Sequence, residues 1–176
     1  NLRQSLIPGV LEAINKNVHY YESFSIFEAA QVFTPGEYHP SSEDETLPVH
    51  RNFLTGAMVG TDARELFFKV KGVIEGMPGY CHCEDLSFEQ REKPSWADEK
   101  VWLNVVSGKV TVGTIGLLSV AALTDSGVKR AQAAAFELDV DALVAFTSRT
   151  NKYQKLPQFP LVDKDFSILV KESVTW

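Results

Sequence analysis

Val101-Trp102-Leu103-Asn104-Val105-Val106-Ser107-Gly108-Lys109-Val110-Thr111-Val112-Gly113-Thr114-Ile115-Gly116 is the stretch that decides the fold. Val101, Leu103 and Val105 alternate, Ser107-Gly108-Lys109 makes a tight turn, and Val110 and Val112 lead a return toward Ile115. Successive side chains on a strand point to opposite faces, so this pattern predicts a β-hairpin. Gly113 and Gly116 mark bends or places where another backbone comes close. Downstream, Val120 to Leu123 reads as a short helix closed by Asp125-Ser126-Gly127. Phe136-Glu137-Leu138-Asp139-Val140 alternates as a strand, with Asp139 or Asp141 placed to cap a short helix through Phe146. Lys155 to Pro160 is an extended linker, since residues before proline avoid the helical region, and Phe166 to Val170 a final strand.

Upstream, Leu6, Val10, Leu11 and Ile14 form one apolar stripe on a helix over residues 2–17, with Pro8 suited to its first turn. Phe24 to Phe33 is apolar on both faces and reads as a central strand ended by Pro35-Gly36. Tyr38 to His50, with Glu43, Asp44 and Glu45, reads as a loop. Phe53 to Gly60 predicts a strand, and Asp62 an N-cap for a helix from Ala63 to Glu75 that Gly76 and Pro78-Gly79 stop. Tyr80 to Phe88 is a further strand candidate and Glu89 to Lys100 a polar connection. Hairpins and single helices alternate here without a strict βαβ rhythm. The expected class is α+β, a mainly antiparallel sheet flanked by helices around Val10, Val70 and Leu143.

The 176 residues are 44% hydrophobic, 23% charged and 11% aromatic, the composition of an ordinary globular domain. A net charge of -6 and a pI near 5.2 argue against a broad face that grips RNA or DNA. No apolar run approaches the roughly 20 residues of a membrane span. Asn1 to Ser5 shows neither an initiator Met nor a signal-peptide pattern, and Trp176 closes a strand-like run, so the chain reads as cut at both ends.

The catalytic inventory is thin. His19, His39, His50 and His82 fall at no HExxH spacing, and the chain has no GxSxG elbow, GxxxxGK[ST] loop or GxGxxG. Gly113-Thr114-Ile115-Gly116 has two close glycines, but no helix N-terminus follows to hold a phosphate. Glu137 and Asp139 share a strand face, as charged residues of a half-exposed strand do, with no apolar pocket to make them an acid–base pair. Cys81 and Cys83 flank His82 on the candidate strand. With no second pair to complete four ligands, they read as reduced thiols rather than a zinc site.

Taken in order, several segments resemble the core domain of the phenylalanyl-tRNA synthetase beta subunit. Leu2-Arg3-Gln4-Ser5-Leu6-Ile7-Pro8-Gly9-Val10-Leu11 is similar to its "LRxSLLPGLL" opening. Ile26 to Phe33 resembles its "LFEIGRVF" strand, Leu54-Thr55-Gly56 its "LTG", and Phe68 to Glu75 its "FxxxKGxVE" helix. Val112 to Gly116 resembles the "IGxIG" hairpin, Phe136-Glu137-Leu138-Asp139 the "FELD" strand, and Phe159-Pro160 with Asp165 to Val170 the "FPxxxRDLxLVV" lead into the next domain. Departures occur at Ala30-Gln31, Ser119-Val120 and Asp163-Lys164-Asp165, where Gly-Arg, "HP" and "RRD" are common.

The resemblance implies a class II aminoacyl-tRNA synthetase-like fold, with 1–154 as the catalytic-like core. Residues 155–176 would be a linker and first strand leading toward a ferredoxin-like anticodon-binding domain. It implies a cytoplasmic ligase of two alpha and two beta subunits. The catalytic alpha subunit uses ATP and Mg to charge tRNA(Phe), and the beta core assists assembly without chemistry. In the strand corresponding to motif 2 this chain offers Glu28 and Gln31 but no Arg, and the motif 3 arginine is also missing. Adenylate formation then lacks its cations, so no catalytic residue, cofactor ligand or metal ligand is expected. The expected contributors to intersubunit packing are Leu6, Pro8, Val10, Leu11 and Ile14, which could equally pack on the domain's own sheet. The alternative is a free-standing class II-like ligase that forms an aminoacyl adenylate. Direct tRNA binding is disfavoured by the acidic balance.

Overall fold

The computed structural model describes residues 2–39 and 47–145, with Phe166, Ser167 and Leu169. Its elements are α1 (Ile7–Asn17), β1 (Phe24–His39), β2 (Leu47–Gly60), α2 (Ala63–Cys81), β3 (Leu86–Glu89), β4 (Ala97–Ser107), β5 (Val110–Leu118), α3 (Val120–Asp125), β6 (Gln132–Asp139) and α4 (Val140–Val144). The strands form one antiparallel sheet in the order β1-β2-β6-β5-β4-β3. The α+β expectation holds, and so does the hairpin: Ser107 pairs with Val110 across Gly108-Lys109, with Gly108 at φ +60°.

The sheet carries a core on each face. Ile7, Val10, Leu11 and Ile14 of α1 pack with Ala57, Val59, Trp96, Leu118, Leu123 and Ala135. Leu66, Val70 and Ile74 of α2 pack on the other face with Val105, Ile115, Ala134 and Leu138. Strand alternation explains the division: Ala133 and Ala135 serve the α1 side, Ala134 the α2 side. Small side chains in this middle strand leave room for helices on both faces.

Several expectations need correction. The first helix starts at Ile7, because residues 2–6 instead run beside β1, where Phe33 N donates to Arg3 O at 2.9 Å. The Phe24 strand is an edge strand, not a central one, and the Phe27 ring is 80% exposed. It also runs past Pro35-Gly36, because a register shift between Phe33 and Tyr38, with Gly36 at φ +74°, absorbs the break. Of the expected 38–50 loop, both ends are strand, and 40–46 lie outside the described residues.

Helix α2 has its expected Asp62 cap, which accepts from Glu65 N at 3.0 Å, but it continues to Cys81. Pro78 lies in its last turn and is buried, so apolar contact offsets the lost backbone bond. Residues 80–85 are therefore not strand; His82 closes the helix in the left-handed region at φ 53°. The polar connection is shorter than expected, since β4 begins at Ala97 beside buried Trp96. Asp139 caps α4 as the sequence suggests, and Ser119 caps α3, accepting from Ala122 N at 3.1 Å. Phe146 and the 155–176 segment, apart from the three residues named, lie outside the described residues.

Gly72 sits on exposed α2 surface, with nothing within 4 Å of an added Cβ. Gly72→Ala should therefore stabilise the chain by about 0.5–1 kcal/mol through helix propensity. A urea melt that shows no gain would contradict this placement.

Candidate functional site

The face of the sheet that carries α1 opens, beyond that helix, into a groove of about 750 Å³. Phe53, Asn104, Thr114, Glu137 and Asp139 form its floor, and the segment Arg91 to Ser95 its rim. Strand register places Thr114 opposite Glu137 and Phe53 opposite Asp139. Glu28 lies in the same row, opposite Thr55, which is itself opposite Glu137.

Glu137, Asp139, Arg91 and Lys93 on this face each have a structural partner among the described residues. Glu137 Oε1 accepts from Ser5 Oγ and from Leu6 N, both at 2.8 Å, and Ser5 Oγ accepts from Ile7 N at 3.1 Å. Helix α1 has no cap from its own N-cap residue, so a carboxylate 131 positions away in sequence does that work. Its negative charge faces the positive end of the helix dipole. Burial nevertheless pushes the Glu137 carboxyl above its ordinary 4.5, against the lowering effect of the Leu6, Ser5 and Ile7 donors. β6 is thus not the half-exposed strand its pattern suggests; it lies between β2 and β5, which buries both carboxylates at least in part.

Asp139 accepts from Ala142 N at 2.9 Å to cap α4 and pairs with Arg51 at 2.5 Å. Asp141 accepts from the Asn52 side chain at 2.9 Å and from Asn52 N at 2.7 Å, contacts that hold its carboxyl below the usual range. Buried Asn104 fastens the rim: its Oδ1 accepts from Arg91 N at 2.8 Å and its Nδ2 donates to Glu92 O at 3.1 Å.

The cations are equally committed. Arg91 Nε pairs with Glu89 at 2.9 Å, and its NH1 donates to Thr111 Oγ1 at 3.0 Å and Lys109 O at 3.2 Å. Lys93 pairs with Glu99 at 2.8 Å. Arg3 lies over the strand read for a motif 2 arginine, pairing with Glu28 and donating to Gln31 O, each at 2.9 Å. No local pattern announces Arg3, Ser5, Arg51, Asn52 or Asn104, because each partner is distant in sequence.

Of the residues expected at an intersubunit contact, Leu6, Val10, Leu11 and Ile14 are buried within this chain. Pro8 is exposed. At the far end of α2, Cys81 is exposed and Cys83 half-buried. Burial, and then the neighbouring Cys81, push the Cys83 thiol up. No three His, Cys, Asp or Glu among the described residues are placed to hold a metal ion.

Residues 1–140 match the family model described as the phenylalanyl tRNA synthetase beta chain CLM domain. The chain belongs to this family. It is 30% identical over 188 residues to the phenylalanine–tRNA ligase beta subunit of Halalkalibacterium halodurans, covering 99% of this chain and 22% of that protein. The Bacillus subtilis phenylalanine–tRNA ligase beta subunit is 26% identical over 185 residues, with 99% and 22% covered. The CLM chain thus spans about a fifth of the length of these curated relatives. Among solved structures, the pyrrolysyl-tRNA synthetase PylSc of Desulfitobacterium hafniense aligns with a TM-score of 0.62 at 11% identity. That match covers 81% of the CLM chain and 48% of the synthetase chain and shows a shared fold. No helix among the described residues is long and apolar enough to cross a membrane.

Proposed function

We propose that this chain is a non-catalytic assembly domain of a phenylalanine–tRNA ligase beta subunit. It works beside a catalytic alpha subunit in a cytoplasmic holoenzyme of two alpha and two beta chains, which charges tRNA(Phe) using ATP and Mg. The domain itself takes neither ATP nor Mg. The observation that carries this reading is the paired state of the sheet face: Arg3, Arg51, Arg91 and Lys93 all neutralise this chain's own carboxylates. Adenylate formation develops charge on a phosphate and needs a preorganised cation there. A face on which Glu28, Glu137 and Asp139 lie in or beside one row offers the wrong sign.

The assembly role draws support from the outer edge of β1. Among the described residues nothing pairs with that edge along residues 24–30, and Phe27 projects from the strand. An open strand edge with an exposed aromatic is a ready surface for a partner chain. Helix α1 enters this proposal through exposed Pro8, with Leu6, Val10, Leu11 and Ile14 holding the helix in place beneath it.

Two measurements test the reading. ATP–pyrophosphate exchange by the chain alone, across a panel of amino acids, should stay flat; clear exchange would replace assembly with the free-standing ligase reading. Light scattering of the chain mixed with the alpha subunit should show a complex. Phe27→Ser should weaken that complex about tenfold or more with an unchanged melting temperature, since an exposed aromatic anchor contributes to binding and not to folding. An unchanged complex would remove β1 from the interface.

A further inference from the structure

Both cysteines of the chain stand at the far end of α2, with His82 between them. Cys81 is the last residue of the helix and is exposed; Cys83, just beyond the cap, is half-buried. The turn that joins them is unlike the other helix ends. Helices α1, α3 and α4 each close on a backbone bond from the cap residue, whereas α2 closes with His82 in the left-handed region, at φ 53° and ψ 29°. Among the described residues His82 is the only one other than glycine with a positive φ. A Cβ makes that conformation costly, and glycine is the usual residue in such a helix-ending turn.

The left-handed turn sets the spacing of the two thiols. A helical backbone of either hand at the middle residue holds the flanking Cα atoms roughly 5.4 Å apart, the chord fixed by the rise and radius of an α-helix. An extended residue there would hold them roughly 6.6–6.8 Å apart. Disulfides span Cα separations of about 4.4–6.8 Å and favour about 5.5–6 Å. His82 therefore brings the pair from the limit of that range toward its favoured part. The sulfurs also act on each other: after burial, Cys81 is the next cause that pushes the Cys83 thiol up. With no third ligand placed beside them among the described residues, the two sulfurs form a dithiol and not a metal site. Exposed or strained bonds between such thiols are the labile, redox-responsive kind, distinct from the structural disulfides of secreted domains.

We propose that Cys81 and Cys83 form a reversible dithiol–disulfide site, oxidised by a low-molecular-weight disulfide of the glutathione type. Cys81, the exposed thiol, loses its proton and attacks one sulfur of the oxidant, whose S–S bond breaks to release one glutathione thiolate. The Cys83 thiolate then attacks Cys81 Sγ, the mixed disulfide breaks, and the second glutathione leaves. Two electrons pass from the cysteine pair to the oxidant, and the two thiol protons end on the two released glutathiones. The closed bond holds His82 in its turn and ties the end of α2 to the segment that leads into β3. The site stands apart from the paired sheet face and does not depend on the assembly reading. The test equilibrates the whole chain in buffers of oxidised and reduced glutathione, followed by acid quench, alkylation and peptide mass measurement. Closure consumes one oxidised and releases two reduced glutathiones, so tenfold dilution of the buffer at a constant ratio should raise disulfide over dithiol about tenfold. A mixed disulfide would not respond to dilution. Cys83→Ser should trap glutathione on Cys81, and Cys81→Ser should react more slowly, since the remaining thiol is half-buried. Three results would each overturn the proposal: glutathione retained on Cys81 of the parent, a disulfide between two chains, or both thiols still free in the most oxidising buffer.

Discussion

Gly113→Val is expected to remove most of the stability of the fold. A Cβ at this position would sit 2.4 Å from Glu137 O, 2.5 Å from Leu138 Cδ2 and 2.9 Å from Leu138 Cα. Two of those atoms are backbone of β6, which is fixed on its other side by β2. The clash cannot be relieved by a side-chain rotation; the β5–β6 ladder must part. Overpacking in a well-packed core costs about 1–3 kcal/mol and more where the backbone must move, so a loss of at least about 3 kcal/mol is expected. Domains of this kind have about 5–15 kcal/mol in total. Guanidinium denaturation, or soluble yield if the variant does not fold, measures the effect. A midpoint within error of the parent would mean that β5 and β6 are not in this register.

Glu137 gives the second large effect, in two parts. Glu137→Ala leaves Leu6 N and Ser5 Oγ without their acceptor and uncaps α1. Bonds to a charged acceptor contribute about 1.5–3 kcal/mol each, while release from the burial penalty returns part of that sum. A net loss of about 2 kcal/mol is expected. The pH dependence has a definite sign. Burial raises the folded-state pKa above the ordinary 4.5, so the native chain holds this proton more tightly than the unfolded chain. The proton's contribution is fully present below 4.5 and is lost as pH rises through the folded-state value. Glu137→Gln cannot titrate, so the stability difference between parent and Gln variant should shrink from pH 4 toward neutrality. Urea melts of both proteins across that range check it; a difference that grows with pH would reverse the assignment.

Local signals in the sequence were reliable. Asp62 and Asp139 each cap a helix that begins right after them, and Gly108 sits at the hairpin turn, because each depends on neighbours within a few residues. Gly113 as a point of close backbone approach was equally legible from a lone glycine within a strand. Position in the sheet was not. Phe24 to Phe33 has the composition of a central strand, yet its neighbours leave it at the edge; nothing in those residues records who lies beside them. Pro78 misled for a related reason, since a proline stops a helix only when packing does not compensate. The site shows the same divide. Glu137 and Asp139 were visible as a pair on one face, but their work is set by Ser5 and Arg51, far away along the chain.

The order of strands across the sheet also has a temporal meaning. Strand β6 lies between β2 and β5, but it is made only after α2, the β4–β5 hairpin and α3 have been synthesised. At usual translation rates its first residue trails the last residue of β2 by about 4–14 s. Throughout that interval β2 has an open inner edge as well as the open outer edge of β1, and α1 lacks the carboxylate that caps it. The segment through Gly60 is therefore committed to waiting, with two strand edges unguarded on the ribosome. Whatever holds those edges apart from neighbouring nascent chains governs how much protein is recovered, independently of how stable the finished domain becomes.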